Sequence, residues 1–120
     1  VRQYTEVDLP TFRTKAFDDV YAIGDRTLAP YTKSAYAANT QGQRHAEVVA
    51  ERLGLGVKPT TKMFNICWSH VNRNELSIIE VQWEPDGKVS EGYLKVGEPT
   101  AANKQRRHGW EKGLLKSLYG

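Results

Sequence analysis

A short apolar run, Val20-Tyr21-Ala22-Ile23, stops at Gly24-Asp25, and a long helical pattern begins soon after, at Lys33-Ser34-Ala35-Tyr36. A run that short suits a buried strand. The glycine lets the chain turn sharply at the strand's end. The aspartate is then left at the carboxyl end of the strand, just ahead of a helix. Strand, turn, a loop over residues 26–33 containing Pro30, and a helix from about 34 to 53 is the organisation that this order of residues predicts. Thr32 or Ser34 would cap the helix. Its inward stripe is expected at Ala35, Ala38, Gly42, Ala46, Val49 and Leu53, spaced by three and four. The first half of that stripe is small, which allows close approach to a sheet or a ligand. Gly54-Leu55-Gly56 stops the helix, and Val57-Lys58-Pro59 reads as a linker.

The pattern then changes from helical to alternating. Residues 62–71, 76–84 and 89–96 read as strands, the last two joined through Pro85-Asp86-Gly87-Lys88, a hairpin signal. Pro99 is expected to close this sheet. A final helix over about 103–118 would place Trp110, Leu114, Leu115 and Leu118 on one side. Trp68, Trp83 and Trp110 are expected to fill the core between sheet and helix. The fold class expected is therefore α/β to α+β: a strand plus long helix, followed by a small antiparallel sheet with a C-terminal helix. The expected division is 1–56 and 57–120.

Length and composition set the limits. With 120 residues, 39% hydrophobic and 26% charged, the chain has the content of one folded domain. Its net charge of +3 is spread along the sequence and makes no nucleic-acid footprint. The basic run Lys104-Gln105-Arg106-Arg107-His108 reads as a solvated helix start. No apolar run approaches the length of a membrane helix. The single cysteine, Cys67, excludes a disulfide framework within the chain. His45, His70 and His108 show no metal-ligand spacing. His45 reads as an edge packing residue and His70 as a core histidine. The start, Val-Arg-Gln-Tyr-Thr-Glu, has no initiator Met and reads as a chain entered within a domain.

Three features carry chemistry. Asp25 at a strand end accepts hydrogen bonds from hydroxyls or a helix terminus, although Gly-Asp alone is also a simple turn. The helix start offers unpaired N–H groups and partial positive charge, suited to a phosphate or an anionic ring, and Lys33 adds a formal charge there. Tyr36 in the first turn packs on such a ring or on the sheet. Cys67 falls with Asn65 and Ser69 on the small polar face of an alternating strand, opposite Phe64, Ile66 and Trp68. Inert burial and a reactive thiol both fit that placement.

Three stretches add a resemblance. They are Thr11-Phe12-Arg13-Thr14, then Val20 to Asp25, then Lys33-Ser34-Ala35-Tyr36-Ala37-Ala38-Asn39-Thr40-Gln41-Gly42. Together they resemble the C-terminal part of the two-dinucleotide-domain flavoproteins, the FAD-dependent pyridine nucleotide-disulfide oxidoreductases. The helix start is similar to the Lys-Ser-Gly-Tyr-Ser-Ala-Asn-Ser-Gln type of the flavoprotein subunits of flavocytochrome c sulfide dehydrogenases, with Ala35 and Ala37 in place of Gly and Ser. Phe64-Asn65-Ile66-Cys67-Trp68-Ser69 resembles that family's Asn-Thr-Cys-Tyr-Ser strand, and the end at Trp110 and Tyr119-Gly120 resembles its aromatic-Gly terminus.

The resemblance implies that residues 1–56 are the C-terminal part of a Rossmann-type FAD-binding domain. It implies that 57–120 is an α+β interface domain carrying the redox cysteine. Gly24, Asp25, Lys33, Ser34, Ala35 and Tyr36 would contact FAD. The Gly-x-Gly-x-x-Gly turn that cradles the pyrophosphate does not occur here, so the flavin would be bound jointly with an absent N-terminal portion. Cys67 would pair there with a second cysteine in a redox disulfide. Hydrosulfide would attack that disulfide to give a persulfide and a thiolate. Two electrons would pass to the flavin and singly to a haem c on a partner cytochrome subunit. The family resemblance also implies a periplasmic location. Two alternatives stand beside this sulfide dehydrogenase reading. One is a sulfide:quinone oxidoreductase-like flavoprotein; the other is a non-catalytic docking module.

Overall fold

The computed structural model describes residues 3–120. Its elements follow in the order of a 3-10 turn at Gly24–Arg26, helix α1 (Ala35–Arg52), strands β1 (Met63–His70), β2 (Leu76–Trp83) and β3 (Val89–Thr100), and helix α2 (Ala101–Tyr119). The three strands form one antiparallel meander in the order β1-β2-β3. The mixed α+β content expected from the sequence is present. Contacts group the chain into two units: residues up to Asn65 with Val81–Leu94, and Ile66–Glu80 with Lys95–Gly120.

The core of the first unit joins loop residues to strand residues of β1 and β2. Val7, Phe12, Tyr31, Met63, Val81 and Trp83 form its buried cluster, with Leu9, Ala22 and Ala29 packed around it. Phe12 is fully buried and adopts a positive φ of 62°, a conformation that side chains disfavour. The turn from Asp8 imposes it: Phe12 N–H donates to the Asp8 carbonyl, and Thr11 Oγ1 donates to Asp8 Oδ2 at 2.7 Å. The ring then meets Tyr31 edge-on at 6.2 Å, and Tyr31 meets Trp83 at 5.5 Å. The Tyr31 hydroxyl is buried without a hydrogen-bond partner among the described residues. Burial, reinforced by Asp86 and opposed by Arg44, pushes its pKa up to about 12.

Residues 20–23 do not form a strand. Tyr21 makes a single antiparallel bridge with Arg13, flanked by Thr14 N–H to the Val20 carbonyl at 2.8 Å and Ala22 N–H to the Phe12 carbonyl at 3.0 Å. The partner stretch bends at Lys15 and Ala16, so the ladder ends after one pair. Val20 and Ile23 are left 49% and 39% exposed, where a central strand would bury them.

Helix α1 begins where its cap allows. Ser34 is extended, and its Oγ accepts from Ala37 N–H. The buried face is rotated from the expected stripe: Ala37, Thr40, Gln41 and Val48 are buried, whereas Ala35, Ala46 and Leu53 are exposed. Polar residues could take that face because each finds a partner. Thr40 Oγ1 bonds to backbone groups of Phe64 and Ala37, and Gln41 Oε1 accepts from Gly24 N–H at 2.8 Å. Periodicity in apolar residues alone is blind to such positions. Near the helix's end, the Glu47 carboxylate accepts from Thr60 N–H, Thr61 N–H and Thr61 Oγ1 at 2.9, 2.9 and 2.7 Å. The Thr61 hydrogen bonds dominate in holding its pKa below the usual carboxylate range.

The β2–β3 hairpin turns as expected at Pro85-Asp86-Gly87-Lys88, with Glu84 N–H donating to Lys88 O at 2.8 Å. Gly87 has a φ of +87°, and a Cβ there would lie 2.7 Å from both Leu9 and Pro30, so glycine is required twice over. Strand β3 continues through Pro99 to Thr100, whose hydroxyl caps α2 by accepting from Asn103 N–H at 3.1 Å. The helix therefore starts earlier than expected.

Within the second unit, α2 buries none of its residues. Trp110, Leu114, Leu115 and Leu118 are 37%, 37%, 51% and 63% exposed, so the expected inward stripe is not formed. Leu114 and Leu115 are consecutive and so lie about 100° apart around a helix of 3.6 residues per turn. Polar contacts help to attach the helix. Asn103 Nδ2 donates to the Leu76 and Glu98 carbonyls at 2.9 and 3.0 Å, and Lys104 Nζ donates to Arg73 O at 2.8 Å. The tryptophans separate accordingly: Trp83 is core, Trp68 is half-buried and Trp110 is exposed.

Candidate functional site

Gly24 turns the chain with a φ of +77°, as the Gly-Asp reading required. Its amide is held by Gln41 of α1, and the Thr27 hydroxyl donates back to the Gly24 carbonyl at 2.9 Å. A Cβ on Gly24 would lie 3.7 Å from Ala38, and one on Gly42 would lie 3.9 Å from Ile23. The small residues of α1 thus let the turn approach the helix. That fixes Asp25 at the head of an open cleft of about 380 Å³, lined by Tyr4, Asp25, Arg26 and Lys33.

The cleft brings together two of the six residues expected to contact a cofactor. Asp25 is exposed, and no hydrogen bond or ion pair engages its carboxylate among the described residues. Lys33 is placed by two contacts: its Nζ donates to the Thr27 carbonyl and lies 4.9 Å from the centre of the Tyr4 ring. Arg26 adds a second cation. Neither Arg26 nor Tyr4 is among the residues expected at a cofactor. Arg26 follows Asp25 directly, so a cation beside the acid was visible in the order of residues; nothing in the sequence signalled Tyr4.

Three of the other four expected contacts have structural work. Gly24 supplies the turn. Ser34 caps α1 and donates its hydroxyl proton to Asn65 Oδ1. Ala35 is the exposed first residue of α1. Tyr36 meets the Phe64 ring edge-on at 5.5 Å. The polar face of β1 also divides in use. Asn65 is 1% exposed and receives Ser34, Cys67 is half-buried, and Ser69 is exposed. Cys67 belongs to the second unit, while the cleft residues belong to the first.

The histidines separate as well. His45 packs on the Tyr21 ring at 4.8 Å, as an edge packing residue does. His70 is exposed and not in the core; its ring meets Arg107. It falls near the end of β1, past the residues that the core covers. The basic run around Arg106 is spent within the second unit, on Arg73, Glu80 and His70. Among the described residues, no group of three His, Cys, Asp or Glu could hold a metal ion, and no helix is long and apolar enough to cross a membrane. Neither a scan of protein-family models nor a search of curated proteins finds a match to this chain.

Proposed function

We propose that this chain supplies one part of a flavin site in a sulfide-oxidising flavoprotein, the rest coming from a segment that carries the Gly-x-Gly-x-x-Gly turn. The observation that carries the reading is the meeting of Asp25, Arg26 and Lys33 in one cleft, beside a turn that α1 holds through Gln41. The donor set fits the group. The Asp25 carboxylate, unengaged among the described residues, accepts hydrogen bonds from ribityl hydroxyls, and Lys33 and Arg26 favour negative charge on a ring or phosphate. The cleft is open and small against the whole of FAD, which agrees with joint binding rather than binding by this chain alone.

When bound, FAD supplies an acceptor of two electrons that returns them one at a time. The chain's own part in the chemistry falls to Cys67. Paired with a second cysteine, it forms a disulfide open to hydrosulfide. Attack breaks the S–S bond, forms a new bond between the incoming sulfur and one cysteine, and releases the other as thiolate. A c-type cytochrome as onward acceptor and a periplasmic setting belong to this reading through the family resemblance. The half-exposed position of Cys67 supports it, since a thiol sealed in the core could not be reached.

Asp25→Ala in the natural polypeptide that contains or pairs with this chain tests the cleft. Retention of flavin should fall at least tenfold, with the fold intact by circular dichroism. Undiminished flavin would show that Gly24-Asp25 is only a turn. The docking-module reading draws on one observation, the exposure of Leu114, Leu115 and Leu118 on α2. It requires Cys67 and Lys33 to be dispensable.

A further inference from the structure

We propose, resting on the reading of the Asp25 cleft as a ligand site, that Tyr4 positions the Lys33 ammonium there and that the pair, with Arg26, makes the cleft a receptor for a phosphate-type anion. Lysine carries its charge on a flexible four-carbon stem, and ordering that stem costs conformational entropy. Here two contacts order it before a ligand arrives. Lys33 Nζ donates to the Thr27 carbonyl and lies 4.9 Å from the centre of the Tyr4 ring. The face of the ring attracts the cation. An ammonium has three donors, and the Thr27 carbonyl takes one, so donors remain for a ligand.

Both contacts come from one backbone junction. Thr5 and Thr27 form a parallel bridge, with Thr5 N–H donating to the Arg26 carbonyl at 2.9 Å and Leu28 N–H donating to the Thr5 carbonyl at 2.8 Å. Tyr4 immediately precedes that bridge. Thr27 is fully buried, and its hydroxyl ties it to the Gly24 carbonyl at 2.9 Å. The junction therefore sets both the ring and the carbonyl that hold Lys33. The charges of the cleft favour an anion. Arg26 and Lys33 line it against the carboxylate of Asp25, and neither cation forms an ion pair with that carboxylate among the described residues. An ammonium already ordered binds an anion more tightly than a mobile one, because less freedom is lost on binding. Tyr4 is thus a positioning residue, acting on the ligand through Lys33.

The test is a double-mutant cycle on Tyr4 and Lys33, read as the affinity of the full 120-residue chain for inorganic pyrophosphate in a nuclear magnetic resonance titration. Tyr4→Leu should weaken binding about two- to fivefold, the worth of an exposed cation–π contact. Tyr4→Phe keeps the ring face and should bind as wild type does. Lys33→Met should weaken binding further, and Tyr4→Leu added to it should have no additional effect. The Lys33 ε-methylene resonance should lie upfield under the ring current in wild type and Tyr4→Phe, and lose that shift in Tyr4→Leu. The readout contains no flavin, so full coupling here beside a natural polypeptide that carries no flavin would uphold the role of Tyr4 and refute the flavin reading alone. The proposal is overturned if wild type does not bind pyrophosphate at millimolar concentration, if Tyr4→Phe loses as much as Tyr4→Leu, or if Tyr4→Leu weakens binding equally with and without Lys33. Tyr4 is exposed, and circular dichroism checks the fold of every variant.

Discussion

Ser34 joins the start of α1 to the buried amide of Asn65, and its removal should cost more than an ordinary cap. Two interactions converge on one oxygen. Oγ accepts from Ala37 N–H at 3.1 Å and donates to Asn65 Oδ1, in a residue that is 1% exposed. Ser34→Ala removes a cap worth about 1 kcal/mol. It also takes a hydrogen bond from a buried acceptor, at about 1–3 kcal/mol. The sum expected is about 2–4 kcal/mol. Ser34→Gly separates the two effects, because glycine caps almost as well as serine and costs only a few tenths of a kcal/mol there. Its remaining deficit reports the Asn65 bond. Ser34→Thr, which keeps the hydroxyl, should recover most of the loss. Urea unfolding followed by far-ultraviolet circular dichroism gives the stabilities, compared at equal slope so that the denatured state is held constant. If Ser34→Ala and Ser34→Gly both lie within about 0.5 kcal/mol of wild type, the coupling of cap to core is wrong and Ser34 is available to a ligand.

Two further predictions concern pH. Glu47 has a pKa lowered by its threonine hydrogen bonds, so the tether between α1 and Thr60-Thr61 is fully present above the ordinary carboxylate value of 4.5 and is lost as pH falls through the lower folded value. Glu47→Gln should lower the melting temperature at neutral pH and flatten its decline between pH 5 and 3. A parallel decline in both proteins would exclude the tether. Tyr31 behaves in the opposite sense. Its ordinary value of 10.0 is raised to about 12, so folding stability should fall as pH rises from 10 towards 12. Tyr31→Phe removes a buried hydroxyl that has no partner among the described residues, and should be neutral or stabilising by about 1 kcal/mol, with the alkaline decline reduced. A loss of stability would mean that the hydroxyl is bonded after all.

How much was legible in the sequence depended on whether a residue's role was local. The Ser34 cap (one of two candidates), the helix stop at Gly54, the Pro85 to Lys88 hairpin and the sharp turn at Gly24 depend mostly on nearby residues, and the sequence predicts them. The strand at 20–23 failed because a strand is made by its partner, and Arg13 provides only one bridge. The α1 stripe failed because Thr40 and Gln41 are buried through hydrogen bonds to Phe64 and Gly24, which lie far off in sequence. Half of the core was hidden in the loops, where Val7, Phe12 and Tyr31 sit in irregular backbone with no period to read. For the candidate site, Asp25 and Lys33 were legible as a strand-end acid and a helix-start cation. Tyr4 was not, because only the folded chain brings it to Lys33.

The most direct measurement is the absorption spectrum of the natural polypeptide that contains or pairs with this chain, recorded anaerobically before and after hydrosulfide. The account predicts an oxidised-flavin spectrum that bleaches on addition, and a Cys67→Ser variant that keeps its flavin but no longer bleaches. A protein that carries no flavin, or a Cys67→Ser variant that bleaches as wild type does, would contradict it.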